Sequence, residues 1–267
     1  MRIDVVICTK NTALTLRKCL WSLFRSDVPI RRVLIIDRFS TDGTQDIAEE
    51  FGCEVFESML PLGQARRLGA MLCDTEYFLS LDADMMLPKD FYAKLQPYIG
   101  EYVVVKGAHF NVLSDKHRCV AMNDYLWMHD KIGSMGNCFV HTKTFLEVSS
   151  NWPSNIGAGE DALLYQACAE KGLPVYQDVN VVCEHRVYSV VRLWKQTAWY
   201  SSGAIKAGVK GRVFNRRRAF IPLEGFGFVY LGLRDAIRWR CPFLLVHQFA
   251  KMLWWFKGCL LARRYDV

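Results

Sequence analysis

Along the first 185 residues, short runs of β-branched and other apolar residues alternate with stretches of helical periodicity. This alternation predicts βαβ units and a mostly parallel sheet flanked by helices. Ile3 to Cys8 reads as the first strand. The helix after it, capped by Asn11 or Thr12, carries Leu16, Leu20 and Leu23 on one face. Val33 to Asp37 is apolar up to its closing carboxylate, as a central strand should be. Ser40 to Gly43 is a turn into a helix over 44–51, and Cys53 to Phe56 is a third, short strand. A helix over Ala65 to Cys73 leads into the strand Tyr77 to Leu81. Further on, Tyr102 to Lys106 and Asn137 to Val140 read as strands. Glu160 to Lys171 reads as a helix stopped by Gly172 and Pro174, and Val179 to Cys183 as a last strand.

Beyond Arg218 the pattern changes to two long apolar stretches, Ala219 to Leu233 and Pro242 to Leu261. A bilayer-spanning helix needs about 20 mostly apolar residues. Pro222 and Glu224 interrupt the first stretch; His247, Lys251 and Lys257 interrupt the second. Lys251, Trp254, Trp255 and Lys257 fit an amphipathic helix lying among lipid headgroups better than a span. The expected organisation is a catalytic unit over 1–211 and a basic, aromatic-rich helical module over 212–267.

Charge sharpens this division. The net +7 conceals 18 Lys/Arg against 24 Asp/Glu in residues 1–185, and 16 against 3 in residues 186–267. The acidic part suits a divalent cation, whereas the basic part suits an anionic surface. Its apolar content favours lipid and argues against a nucleic-acid partner. The ten cysteines form no C-x-x-C pair, and no secretory signal opens the sequence. They are expected to be buried thiols of a reducing compartment, which places the protein at the cytoplasmic face of a membrane.

The strongest local chemistry is Asp82-Ala83-Asp84 after the strand Tyr77 to Leu81. Two carboxylates at a strand end can face a crevice at the sheet's carboxyl edge and hold Mn²⁺ or Mg²⁺, leaving positions open for diphosphate oxygens. Neither G-x-G-x-x-G nor G-x-x-x-x-G-K-[ST] is present, and His109, His117, His129 and His141 lack zinc-site spacing.

Five blocks taken in order resemble the family-2 glycosyltransferases of the GT-A fold. They are Val5 to Asn11, Ile35-Ile36-Asp37 with Ser40 to Thr44, then Gly63, Ala65, Arg66 and Gly69, then Asp82 with Asp84, and finally Gly159-Glu160-Asp161. The chain is also distantly similar to the dolichyl-phosphate mannose synthases and cellulose-synthase-like enzymes. Gln196 is followed by Trp199 and Tyr200 rather than by the Q-x-x-R-W of processive members, so polymer synthesis is not expected.

The resemblance implies inverting transfer of a sugar from a nucleoside-diphosphate donor, GDP-mannose or a UDP-sugar, to a lipid-linked or glycan acceptor. It implies Asp161 as general base, with Glu160 positioning the acceptor. Thr9, Asn11 and Asp37 would contact the nucleoside, and Arg66 and Asp82 the rest of the donor. Asp82, Asp84 and His185 would surround the metal, while Gln196, Trp199 and Lys206 would meet the acceptor or a phosphate. Arg38 stands where the family often has a second Asp, so the base is left open between GDP and UDP. The rival readings are a non-catalytic sugar-nucleotide scaffold and a nucleotidyltransferase; Cys8 to Asn11 is a poor triphosphate loop for the latter.

Overall fold

The computed structural model describes residues 1–113, 120, 133–187, 189–207 and 221–264. One sheet organises it: β1 (Ile3–Thr9), β2 (Ile30–Asp37), β3 (Glu54–Glu57), β4 (Tyr77–Asp82), β5 (Met85–Met86), β6 (Val104–Val112), β7 (Asn137–His141) and β8 (Val175–Arg186). Their spatial order is β3-β2-β1-β4-β7-β6-β8-β5. β1 pairs parallel with β2 and β4, β3 with β2, and β8 with β6, whereas β7 runs antiparallel to both β4 and β6. β1, β2, β3, β4, β6 and β8 therefore share one direction, in keeping with the predicted mostly parallel sheet. Only β7 and the two-residue β5 run against it.

The apolar runs 5–8, 33–36 and 77–79 within β1, β2 and β4 reflect burial on both faces. Ile3, Val5 and Ile7 pack with Leu16, Leu20 and Leu23 of α1 (Ala13–Phe24). On the other face, Val6, Leu34, Ile36 and Phe78 meet Ala65 and Ala70 of α3 (Leu62–Leu72), together with Phe145 of α5 (Thr142–Val148) and Leu164 of α6 (Glu160–Glu170). α2 (Thr44–Glu50) and α4 (Phe91–Leu95) fill the first face, through Ala48, Phe91 and Leu95. β5, α4 and α5 escape the sequence pattern because none is long enough to display a period.

The start of α1 is capped from a distance. Thr12 makes no side-chain cap; the Ala13 amide donates to Asp42 Oδ2 at 3.0 Å and the Thr12 amide to Thr44 Oγ1 at 2.8 Å. The predicted local cap by Asn11 or Thr12 is thus replaced by the 40–44 turn.

Three helices follow among the described residues: α7 (Val190–Ala207), α8 (Ile221–Arg238) and α9 (Phe243–Arg264). Packing continues across the change of composition near residue 211, because α9 lies along α7. The Ser201 hydroxyl donates to the Trp255 carbonyl at 2.9 Å, and Trp194 Nε1 donates to His247 Nδ1 at 2.9 Å. The contrast of polar and apolar faces is strong in α7 and α8, whereas α9 spreads its polar and apolar residues around its circumference. α9 packs against both α7 and α8. No helix among the described residues is long and apolar enough to cross a membrane.

Candidate active site

Asp82 closes β4 and His185 lies near the end of β8. The two strands share a direction, so both residues reach the same sheet edge. A turn after Asp82 brings Asp84 there as well, and Met85 then pairs with His185 in β5. A cavity of about 470 Å³ opens at this edge, and its walls include Asp82, Asp84, Glu160, Asp161 and His185. It falls within the size range of small-ligand sites.

Asp84 Oδ2 stands 3.3 Å from His185 Nε2, and His185 Nδ1 is 2.7 Å from Asn111 Oδ1. Burial alone would lower the His185 pKa, but Asp84 outweighs it and the pKa is raised. Burial likewise pushes Asp84 up, and His185 in turn holds it below the ordinary carboxylate value. His109, edge-on to His185 at 5.6 Å, is pushed down to about 3, first by burial and then by His185, and stays neutral. An imidazole nitrogen and a carboxylate oxygen thus converge in the cavity, with the ring oriented from behind by Asn111. That donor pair fits Mn²⁺ or Mg²⁺ as two ligands of an open site.

Asp82 is turned elsewhere. Its Oδ1 accepts from Arg66 Nη2 at 2.6 Å, while its Oδ2 lies so close to Gly136 that a Cβ there would come within 2.2 Å. Among the described residues no three His, Cys, Asp or Glu side chains form a metal-binding group. The ligand role expected of Asp82 is therefore not its arrangement here. Arg66 is also redirected: it is buried, with Nε donating to Glu160 Oε1 at 3.2 Å and Nη1 to Ser80 Oγ at 2.7 Å. Its fork ties α3, β4 and α6 together rather than reaching for a diphosphate.

Thr9 and Asp37, expected to contact the nucleoside, are engaged with each other and with the 40–45 segment. Asp37 is fully buried, and its two oxygens accept from Thr9 Oγ1, the Ser40 hydroxyl and amide, and Gln45 Nε2 at 2.6 to 2.8 Å. These four bonds use the carboxylate's accepting positions and, against the opposing effect of burial, hold its pKa low. Asn11, at φ 52°, is exposed; its Oδ1 accepts from the Thr41 amide at 2.9 Å. All three residues stitch the 37–44 loop to the end of β1.

Gly159 takes the left-handed conformation (φ 89°) that starts α6, presenting Glu160 and Asp161 in its first turn. Burial pushes the Glu160 carboxyl up to about 8, neighbouring Asp161 adds to this, and Arg66 opposes it. Burial raises Asp161 as well. The two adjoining carboxyls titrate as a coupled pair, each raised by burial above its ordinary value. Because Glu160 is raised above its unfolded value, its contribution to stability is complete below about pH 4.5 and disappears as pH climbs through about 8. Glu160→Gln should flatten that decline, so melting curves between pH 5 and 8 should converge on a more nearly constant midpoint. An unaltered slope would mean that Glu160 is ionised throughout.

α7 forms the opposite wall with Gln196, Trp199 and Tyr200, and α9 adds Trp255. Gly203 lets α7 approach this closely, since a Cβ there would stand 2.3 Å from the Ala158 carbonyl oxygen. Two buried polar atoms on residues lining the cavity, Thr12 Oγ1 and Gln196 Oε1, have no hydrogen-bond partner among the described residues. Such atoms suit the hydroxyls of a bound ligand. Lys206 lies in the last turn of α7, outside the described side chains. His109, Tyr200 and Trp255 were not predicted as site residues. Tyr200 adjoins Trp199 and His109 is two strand positions from Asn111, but nothing local marks Trp255.

The family model for glycosyl transferase family 2 matches residues 4–155. No curated protein sequence matches significantly. Among solved structures, a mannosyltransferase from Pyrobaculum calidifontis in complex with GDP-Man and Mn²⁺ is similar at a TM-score of 0.62 and 16% identity, over 99% of this chain and 88% of that one. S. aureus TarS 1–349 in complex with UDP gives 0.55 and 15%, over 99% and 92%. Glucosyl-3-phosphoglycerate synthase from Mycobacterium tuberculosis, with Mn²⁺, UDP and glucosyl-3-phosphoglycerate, gives 0.54 and 17%, over 79% and 81%. At these identities the likeness speaks for the fold, while the family match spans more than half of the chain. The cavity at the sheet edge therefore belongs to a glycosyltransferase of the GT-A fold, and the chain is a member of glycosyl transferase family 2.

Proposed function

We propose that this glycosyltransferase moves a sugar, with inversion, from a nucleoside-diphosphate donor to a hydroxyl or phosphate of a lipid-linked acceptor at the cytoplasmic face of a membrane. The observation that carries the reading is that one cavity contains both Asp161, a carboxylate with a raised pKa, and the Asp84–His185 pair. A single displacement needs a base for the acceptor and a separate place to hold the leaving group.

Asp84 and His185 would hold Mn²⁺ or Mg²⁺, and the bound cation would neutralise charge developing on the departing diphosphate. Asp161 accepts the proton of the attacking hydroxyl as that oxygen bonds to the anomeric carbon, and the diphosphate leaves with the electron pair of the broken bond. Glu160, through Arg66, holds Asp82 at the floor of the site. Trp199, Tyr200 and Trp255 offer flat apolar surfaces to sugar rings and displace water. The similar structures bind GDP-Man in one case and UDP in others, so both bases belong in the test.

The decisive measurement is affinity for UDP and for GDP, with Mn²⁺ and again with EDTA. One nucleotide should bind at least about ten-fold more tightly with the metal, a difference of about 1.4 kcal/mol. Equal weak binding of both under either condition would remove the donor assignment and leave a fold without its substrate.

A further inference from the structure

We infer that the α8–α9 hairpin is a docking surface for anionic lipid, laid flat on the bilayer by two apolar stripes. On α8, Tyr230, Leu233 and Ile237 recur at the three- and four-residue spacing of one helical face, and Tyr230 and Ile237 are 66% and 77% exposed. On α9, Val246, Phe249 and Leu253 repeat the same spacing and are each about half exposed. The helices pack through other faces: Gly232 of α8 sits against Leu245 and Gln248 of α9. Both stripes are therefore left as outward apolar surface, of a kind that soluble chains keep small unless something covers it.

Charge identifies the occupant. Residues 221–264, the hairpin itself, carry seven Lys/Arg against two Asp/Glu. Lys257 continues the α9 stripe one turn beyond Leu253 and lies over the Trp254 ring at 4.5 Å, and Arg234 borders the α8 stripe. Apolar side chains flanked by cations and an interfacial tryptophan match the boundary between acyl chains and anionic headgroups. A second copy of the same basic face would repel it. No described helix is suited to crossing the bilayer, so the contact lies in the membrane plane. Trp255, one residue beyond Trp254, lines the catalytic cavity, so the docked helix also places a cavity wall near the lipid surface. The idea that docking delivers a lipid-linked acceptor rests on the proposed transfer reaction; the docking itself does not.

Vesicle flotation of the full chain tests this, using phosphatidylcholine alone and phosphatidylcholine mixed with phosphatidylglycerol. The protein should float with the mixed vesicles, and much less with the neutral ones or at high salt. Leu233→Glu and Phe249→Glu should each lower partitioning by about ten-fold or more, with unchanged melting temperature because both side chains are exposed in the free protein. No flotation with the mixed vesicles would overturn the proposal. So would undiminished flotation of the variants, or a wild-type dimer that these substitutions convert to monomer. Nucleotide affinity measured on the same samples without vesicles reports separately on the transfer reaction, so failure of one leaves the other intact.

Discussion

Asp161→Asn should reduce sugar transfer by about 10²–10⁴-fold while the chain still folds and binds nucleotide, the range expected for loss of a positioned general base. The substitution preserves shape and removes only the group that accepts a proton. Burial raises the Asp161 pKa, with Arg66 and Lys106 opposing, so the wild-type rate should fall on acidification at a pH above the usual carboxylate range. Below that pH the base is protonated and cannot accept; above it the carboxylate is available, until other groups intervene. The variant should lack this acid limb. Its Glu160 should also ionise more readily, because Asp161 is one of the charges that keep Glu160 protonated. Single-turnover release of nucleotide across pH measures both effects, and unchanged turnover would remove Asp161 from the chemistry.

Arg66→Met should cost about 3–5 kcal/mol of stability, the range for removing one member of a buried ionic cluster. Arg66 is almost completely buried and donates to Glu160, Ser80 and Asp82 at once. Without it the buried Ser80 hydroxyl and Glu160 carboxyl lose their donor, and Asp82 is released from its position. Arg66→Lys should recover little, because an ammonium cannot satisfy three acceptors spread around a planar fork. Urea unfolding provides the measurement. A loss under about 1 kcal/mol would mean that water enters and replaces the guanidinium, and the cluster would then not be a structural hub.

Much of this arrangement is legible in the sequence where a feature is local. β1, β2 and β4 announce themselves because both faces of each are buried. Asp82, Asp84, Glu160 and Asp161 belong to blocks with recognisable order, and the structure brings them, with His185, to one cavity. What escapes is anything decided by distant partners. Asp37 and Thr9 face each other across 28 positions, and their hydrogen bond consumes groups that a motif would assign to ligand. Arg66 is drawn inward by Glu160, 94 positions away. The cap of α1 comes from Asp42, and the aromatic wall at Trp255 exists only because α9 packs along α7.

That last contact bears on how the protein is made. The sheet and its carboxylates leave the ribosome early, and N-terminal regions generally fold first during synthesis. The wall at Trp255 cannot be set until α9 has emerged and settled against α7. A nascent chain will thus carry the carboxylate side of the cavity before the aromatic wall that faces it.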